Sequence, residues 1–273
     1  MRAMAQWRAG TWFSLPPPPT LMVTTLRWLL WLILPTLTLT ARAEPPTQTA
    51  LLDALTLSGI ELLCEQSGPM LLRGQSEARQ QQLRGLYAAK DLCLDVAKRM
   101  STAVVADNVK RAQALLDGEL AKRFTELERA VGEAPEELAQ YRERLAKNPP
   151  RGLRMELVKR LDQAAYTTSL ASLLRYEVGK TQALIALLDR GENLDEQSLH
   201  QQTQKQAEQI KASSEPAVAS FMLFAYRRMP SDQLQAYVEL YEDPAVGEVL
   251  AQGYRAMEQV FADRREQLRR AAQ

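Results

Sequence analysis

Apolar residues recur along this chain at the spacing of a helix face, and that periodicity constrains the fold more than any other feature. Val105, Val109, Ala112, Leu116, Leu120, Phe124, Leu127 and Val131 follow one another at steps of three or four. They form one stripe of an amphipathic helix, so the segment is expected to be a single helix. Its opposite side carries Lys110, Arg111, Glu119, Lys122, Arg123 and Glu126 and reads as a solvated face, with Glu119 favourably placed four residues before Arg123. After residue 44 no segment sustains the alternation of a strand. The expectation is therefore an all-α fold, an antiparallel multi-helix bundle. Hydrophobic residues at 46% and charged residues at 25% are an ordinary globular balance, which excludes disorder as the main state.

Proline and glycine punctuate the pattern. Pro135 opens a helix over 136–147, and the consecutive prolines of Asn148-Pro149-Pro150-Arg151-Gly152 forbid it from continuing. This is the best linker in the chain, so two helical halves are expected, 44–147 and 153–273. Leucines from Leu153 to Leu188 predict a long helix or a pair jointed near Gly179, ended by Gly191. The glutamine-rich stretch 195–211 reads as an exposed helix or a connector. Pro216 is expected to open the next helix, which is apolar nearly all round and carries Phe221, Met222, Leu223, Phe224, Tyr226 and Met229. Such a helix is buried on all sides or joins a partner. Ser231 and Asp243 fit helix N-caps, Asp243 with Pro244 behind it. Gly247 would let a second helix approach closely. Arg264, Arg265, Arg269 and Arg270, interleaved with acids, read as a solvated helix end whose cations complement the macrodipole.

The front of the chain is a different kind of segment. All four tryptophans precede residue 44, and from Met22 the sequence runs from a cation at Arg27 through an apolar stretch to Ala41-Arg42-Ala43. That is the layout of a secretory signal peptide cleaved near Ala43. The stretch is too short and too rich in threonine for a membrane span. Translation is expected to start at Met22, which gives a leader of normal length. Four of the 34 cations and none of the 33 acids lie before residue 44, so the mature chain is mildly acidic. A periplasmic or secreted protein of this charge is not expected to bind nucleic acid.

An oxidising compartment turns attention to the two cysteines, Cys64 and Cys93. One disulfide is expected, with two separate buried thiols as the alternative. If 51–66 and 76–99 were straight antiparallel helices, the two would lie about 24 Å apart at 1.5 Å per residue. A bridge therefore needs a break, within 67–74 or at Gly85.

The run from Phe224 to Leu234, then Leu240-Tyr241-Glu242-Asp243-Pro244-Ala245-Val246-Gly247, resembles the signature of the exported bacterial family called domain of unknown function 2059. The resemblance is strongest over residues 217–260, and 52–63 with Ser58-Gly59-Ile60 resembles that family's opening helix. Leu240 stands where the family has an aromatic, and Asp243 where serine is usual. The resemblance implies an all-helical periplasmic protein and carries no activity, cofactor or catalytic residues.

The leading functional expectation is a non-catalytic role in the cell envelope, through a partner protein or self-association. The surface expected to carry it comprises Phe221, Phe224, Tyr226, Tyr237, Tyr241 and Tyr254, with Ser231, Asp243, Pro244 and Gly247 as its capping motif. The competing class is a cell-wall glycan enzyme using carboxylates, with Glu177, set in an apolar helix, as its acid. A third reading is a helical cavity for an apolar ligand, which Met222, Met229 and Met257 would suit. No nucleophile elbow or phosphate loop is present, so no cofactor is expected. Glu196 and His200 stand four apart, but one carboxylate and one imidazole make a poor metal site.

Overall fold

A computed structural model describes residues 44–148, 150 and 152–272; the leader, its cleavage site and Met22 lie outside them. Helices α1 (Gln48–Leu57) and α2 (Ile60–Leu72) are separated by Gly59, whose φ of 76° is a conformation that side chains other than glycine's resist. The chain continues through α3 (Glu77–Leu86), α4 (Ala89–Met100), α5 (Ala106–Leu116), α6 (Glu119–Glu133) and α7 (Pro135–Lys147). Beyond the prolines come α8 (Gly152–Ala164), α9 (Thr167–Leu188), α10 (Glu196–Ala225), α11 (Ser231–Tyr241) and α12 (Pro244–Ala271). The described residues contain no strand, and the fold is an all-α multi-helix bundle.

Two apolar clusters hold it together. The first gathers α1 to α5, α9 and α12 around residues such as Leu51, Val96, Val109, Leu184, Val249 and Phe261. The second gathers α6, α8, the end of α10 and α11 around Phe124, Leu161, Phe224, Leu234 and Tyr237, with α7 packed on its side. Each cluster draws helices from both sides of 148–152, so the two clusters do not correspond to the two expected halves.

Several helix boundaries differ from those read in the sequence. The stripe from Val105 to Val131 is two helices, interrupted at Asp117–Gly118. Val109, Ala112 and Leu116 enter the first cluster, whereas Phe124 and Val131 enter the second. The joint expected near Gly179 lies instead at Ala165–Tyr166, where the carboxylate of Asp162 accepts hydrogen bonds from Thr168 N at 2.7 Å and Thr168 Oγ1 at 2.8 Å. Gly179 sits within α9, and a Cβ there would meet Gln206 of α10 at 3.5 Å.

Pro216 does not open a helix; α10 runs through it. The carbonyl it frees, at Ala212, lies in the exposed part of α10, where water can satisfy it. Ser231 is the first helical residue of α11 and makes no capping bond, because Pro230 occupies the cap position. Asp243 does cap α12, accepting from Ala245 N at 2.9 Å. Nothing approaches Gly247. The close contact lies further along α12, at Gly253, where an added Cβ would collide with Ile60 of α2.

Cys64 on α2 and Cys93 on α4 bring their sulfurs to disulfide distance, with Cα atoms 5.9 Å apart. The break that allows it is at Tyr87–Ala88, just after Gly85. Gly68 makes room for that turn, since a Cβ there would lie 3.1 Å from the Tyr87 carbonyl oxygen.

Candidate functional site

Between the two apolar clusters lies a cavity of about 360 Å³. Its walls come from the α1–α2 turn and α2 (Leu62, Leu63, Gln66), from α8 and α9 (Leu161, Leu170, Ala171, Leu174), and from α10 and α11 (Phe221, Met222, Tyr226, Tyr237, Tyr241). One acid enters this lining, the half-buried Glu128 of α6. Among the described residues no lysine, arginine, histidine or second carboxylate lines the cavity. A mostly apolar concavity with a few convergent polar groups is the usual form of a small-molecule site. A larger, more open groove of about 790 Å³ lies between α7, α8 and α10 and exposes Met155.

Local structure fixes the polar end. Arg154 of α8 donates to the carbonyls of Tyr226 and Met229, the latter at 2.9 Å, and so ties down the chain leaving α10. The Tyr226 hydroxyl then donates to Glu128 Oε1, and the Tyr237 hydroxyl reaches the same oxygen at 3.3 Å. Tyr241 stands 3.4 Å from Tyr237, hydroxyl to hydroxyl. Phe124 stacks on Tyr237 with ring centroids 4.0 Å apart and fixes that ring from behind. Among the described residues Glu128 Oε2 receives no hydrogen bond, and no cation forms an ion pair with Glu128.

Burial raises the Glu128 carboxyl above its ordinary range, and the hydrogen bonds from Tyr226 and Tyr237 only partly offset it. Burial also pushes Tyr241 up to about 12, and Tyr226 and Tyr237 are raised well above the normal phenol range. The three hydroxyls therefore stay protonated at neutral pH, those of Tyr226 and Tyr237 as donors and that of Tyr241 accepting from Tyr237. The site offers one titratable acid in an aromatic and aliphatic enclosure.

Half of the residues expected to form an interaction surface lie in the interior. Phe224, Tyr226 and Tyr237 are buried, while Phe221, Tyr241 and Tyr254 are half-buried. Four of the six line the cavity instead, namely Phe221, Tyr226, Tyr237 and Tyr241. Phe224 packs against Tyr141 at 5.3 Å, and Tyr254 lies 6.5 Å from Tyr166, ring to ring. Of the methionines, Met222 lines the cavity, Met229 packs on the second cluster and Met257 is core of the first. Glu128 was the residue missed. It falls four residues after Phe124 and three before Val131, so it stands on the apolar face of the stripe, and that position was the available signal.

Glu177 is not poised as an acid. Its carboxylate is buried against Arg265 at 2.6 Å, within a network in which Arg265, Lys180 and Arg269 all bind Glu196. Of the four arginines expected at a solvated helix end, Arg265 and Arg269 are interior, only 1% and 4% exposed, Arg264 is half-buried and Arg270 is exposed. Burial alone would raise Glu196, yet the hydrogen bonds from Arg265, Lys180 and Arg269 overrule it and hold the carboxyl at about 2. His200 turns elsewhere, its Nδ1 lying 3.0 Å from the Tyr176 hydroxyl, so Glu196 and His200 do not converge. No group of three or more metal-ligating side chains forms among the described residues.

Comparison of the chain with protein-family models, with curated proteins and with solved structures finds no match. No helix among the described residues is long and apolar enough to cross a membrane. The paired cysteines are compatible with an exported protein.

Proposed function

We propose that this chain is an exported helical protein that binds a small, largely apolar molecule in the cavity between its two clusters. The observation that carries the reading is a half-open, mostly apolar space in which a carboxylate and three tyrosine hydroxyls converge and no described cation neutralises the acid. A space of about 360 Å³ lies at the small end of ligand pockets and suits a small molecule. Glu128 alone does not supply the paired carboxylates of most glycosidases, and Glu177 is held by Arg265. An envelope adaptor role would need a surface other than the aromatic residues, since half of them are core.

Periplasmic or secreted localisation belongs to the same proposal. It is supported by the leader ending in Ala41-Arg42-Ala43 and by the cysteine pair, which would be a disulfide there. Kinship with the exported family called domain of unknown function 2059 is part of the proposal as well, supported by the Asp243-Pro244 helix start.

The test is binding of 2-naphthol, a neutral fluorophore small enough for the cavity. Wild-type protein should bind it at one site. Ala171→Phe, which fills the space from α9, should abolish binding while the far-ultraviolet dichroism is unchanged. Equal binding by both proteins, or none by the wild type, would overturn the reading.

A further inference from the structure

Building on the cavity reading, we infer that the ligand is an organic cation with an aliphatic tail, its ammonium group seated against Glu128 among the tyrosines. Three features of the site converge on this. The first is charge: the only ionisable groups among the described residues lining the cavity are Glu128 and three tyrosines, so once Glu128 ionises the formal charge of the lining is negative and nothing in that lining compensates it. Glu128 is half-buried with donors on one oxygen only, so a bound cation would supply the charge partner that the lining lacks.

The second feature is stereochemical. Both tyrosine hydroxyls reach Oε1, leaving Oε2 with no donor among the described residues. That oxygen can take a hydrogen bond from an ammonium or stand in ion contact with a methylated one. The third is the nature of the neighbours. Phe221, Tyr226, Tyr237 and Tyr241 share the cavity with the acid, and aromatic rings around a carboxylate are what a weakly hydrated organic cation prefers over water. A metal ion would instead call for several oxygen ligands, and an anion would meet Glu128 itself. The leucines of α2, α8 and α9 then accept the tail.

Three probes that share an eight-carbon chain separate the possibilities by calorimetry on the full mature protein: octyltrimethylammonium, 1-octanol and octyl sulfate. The wild type should bind the cation about tenfold or more tightly than the alcohol and should not bind the sulfate. Glu128→Gln keeps the oxygen that Tyr226 and Tyr237 donate to, so it should retain the alcohol and lose the preference for the cation. Equal affinity for cation and alcohol in the wild type, or a preference that survives Glu128→Gln, would overturn the inference and leave the cavity reading standing. Binding of none of the three would overturn both.

Discussion

Glu128 and Glu196 show how one residue type is put to opposite uses. Glu196 is surrounded by Lys180, Arg265 and Arg269 and is held at about 2. Because its folded pKa lies below the ordinary 4.5, its contribution to stability is complete above about 4.5 and is lost as pH falls through about 2. Urea midpoints measured across that window should fall, and Arg265→Ala should lower the midpoint at neutral pH by an amount equivalent to about 3–5 kcal/mol, since it strands the buried Glu177 carboxylate. Glu128 is shifted the other way. Its folded form keeps a proton that the unfolded chain releases, so it weakens the fold as pH rises above the ordinary carboxyl range. Affinity for octyltrimethylammonium, whose own charge is fixed, should rise with pH over the same range as Glu128 ionises. The hydroxyls of Tyr226, Tyr237 and Tyr241 face Glu128 and stay protonated throughout.

At the scale of the helix, periodicity identified where helices lie more reliably than where they end. The stripe from Val105 to Val131 continues unbroken across Asp117–Gly118 because a step of four from Leu116 to Leu120 is the same whether or not the axis changes direction. What distinguishes the two halves is the cluster each one faces, and that is set by distant residues. Pro216 misled for the converse reason: a local breaker is overridden when the residues after it, Met222 to Tyr226, are anchored in a core. The glycines of α12 give a direct test. Gly247→Ala, which meets nothing, should stabilise by about 0.5–1 kcal/mol. Gly253→Val, driven into the fully buried Ile60, should destabilise by about 2–3 kcal/mol. Equal melting temperatures for the two variants would contradict the packing described between α12 and α2.

Across the whole molecule, the cavity exists because two clusters meet without filling the space between them, and each cluster is assembled from helices distant in sequence. The all-helical class, the approach of Cys64 to Cys93 and the aromatic character of 221–241 were all visible in the sequence. The meeting of Glu128 with Tyr226 and Tyr237, 98 and 109 residues away, was not, since no local pattern encodes it. Under the proposed function, Glu128 is kept without a cation between the two clusters, at the expense of stability, for binding and not for the fold. Thermal melts of the wild type and Glu128→Gln at neutral pH, each with and without octyltrimethylammonium, test this most directly. The variant should melt higher than the wild type when both are free, and only the wild type should gain stability from the cation. A variant that melts lower and responds to the cation as the wild type does would show that Glu128 serves the fold and not a ligand.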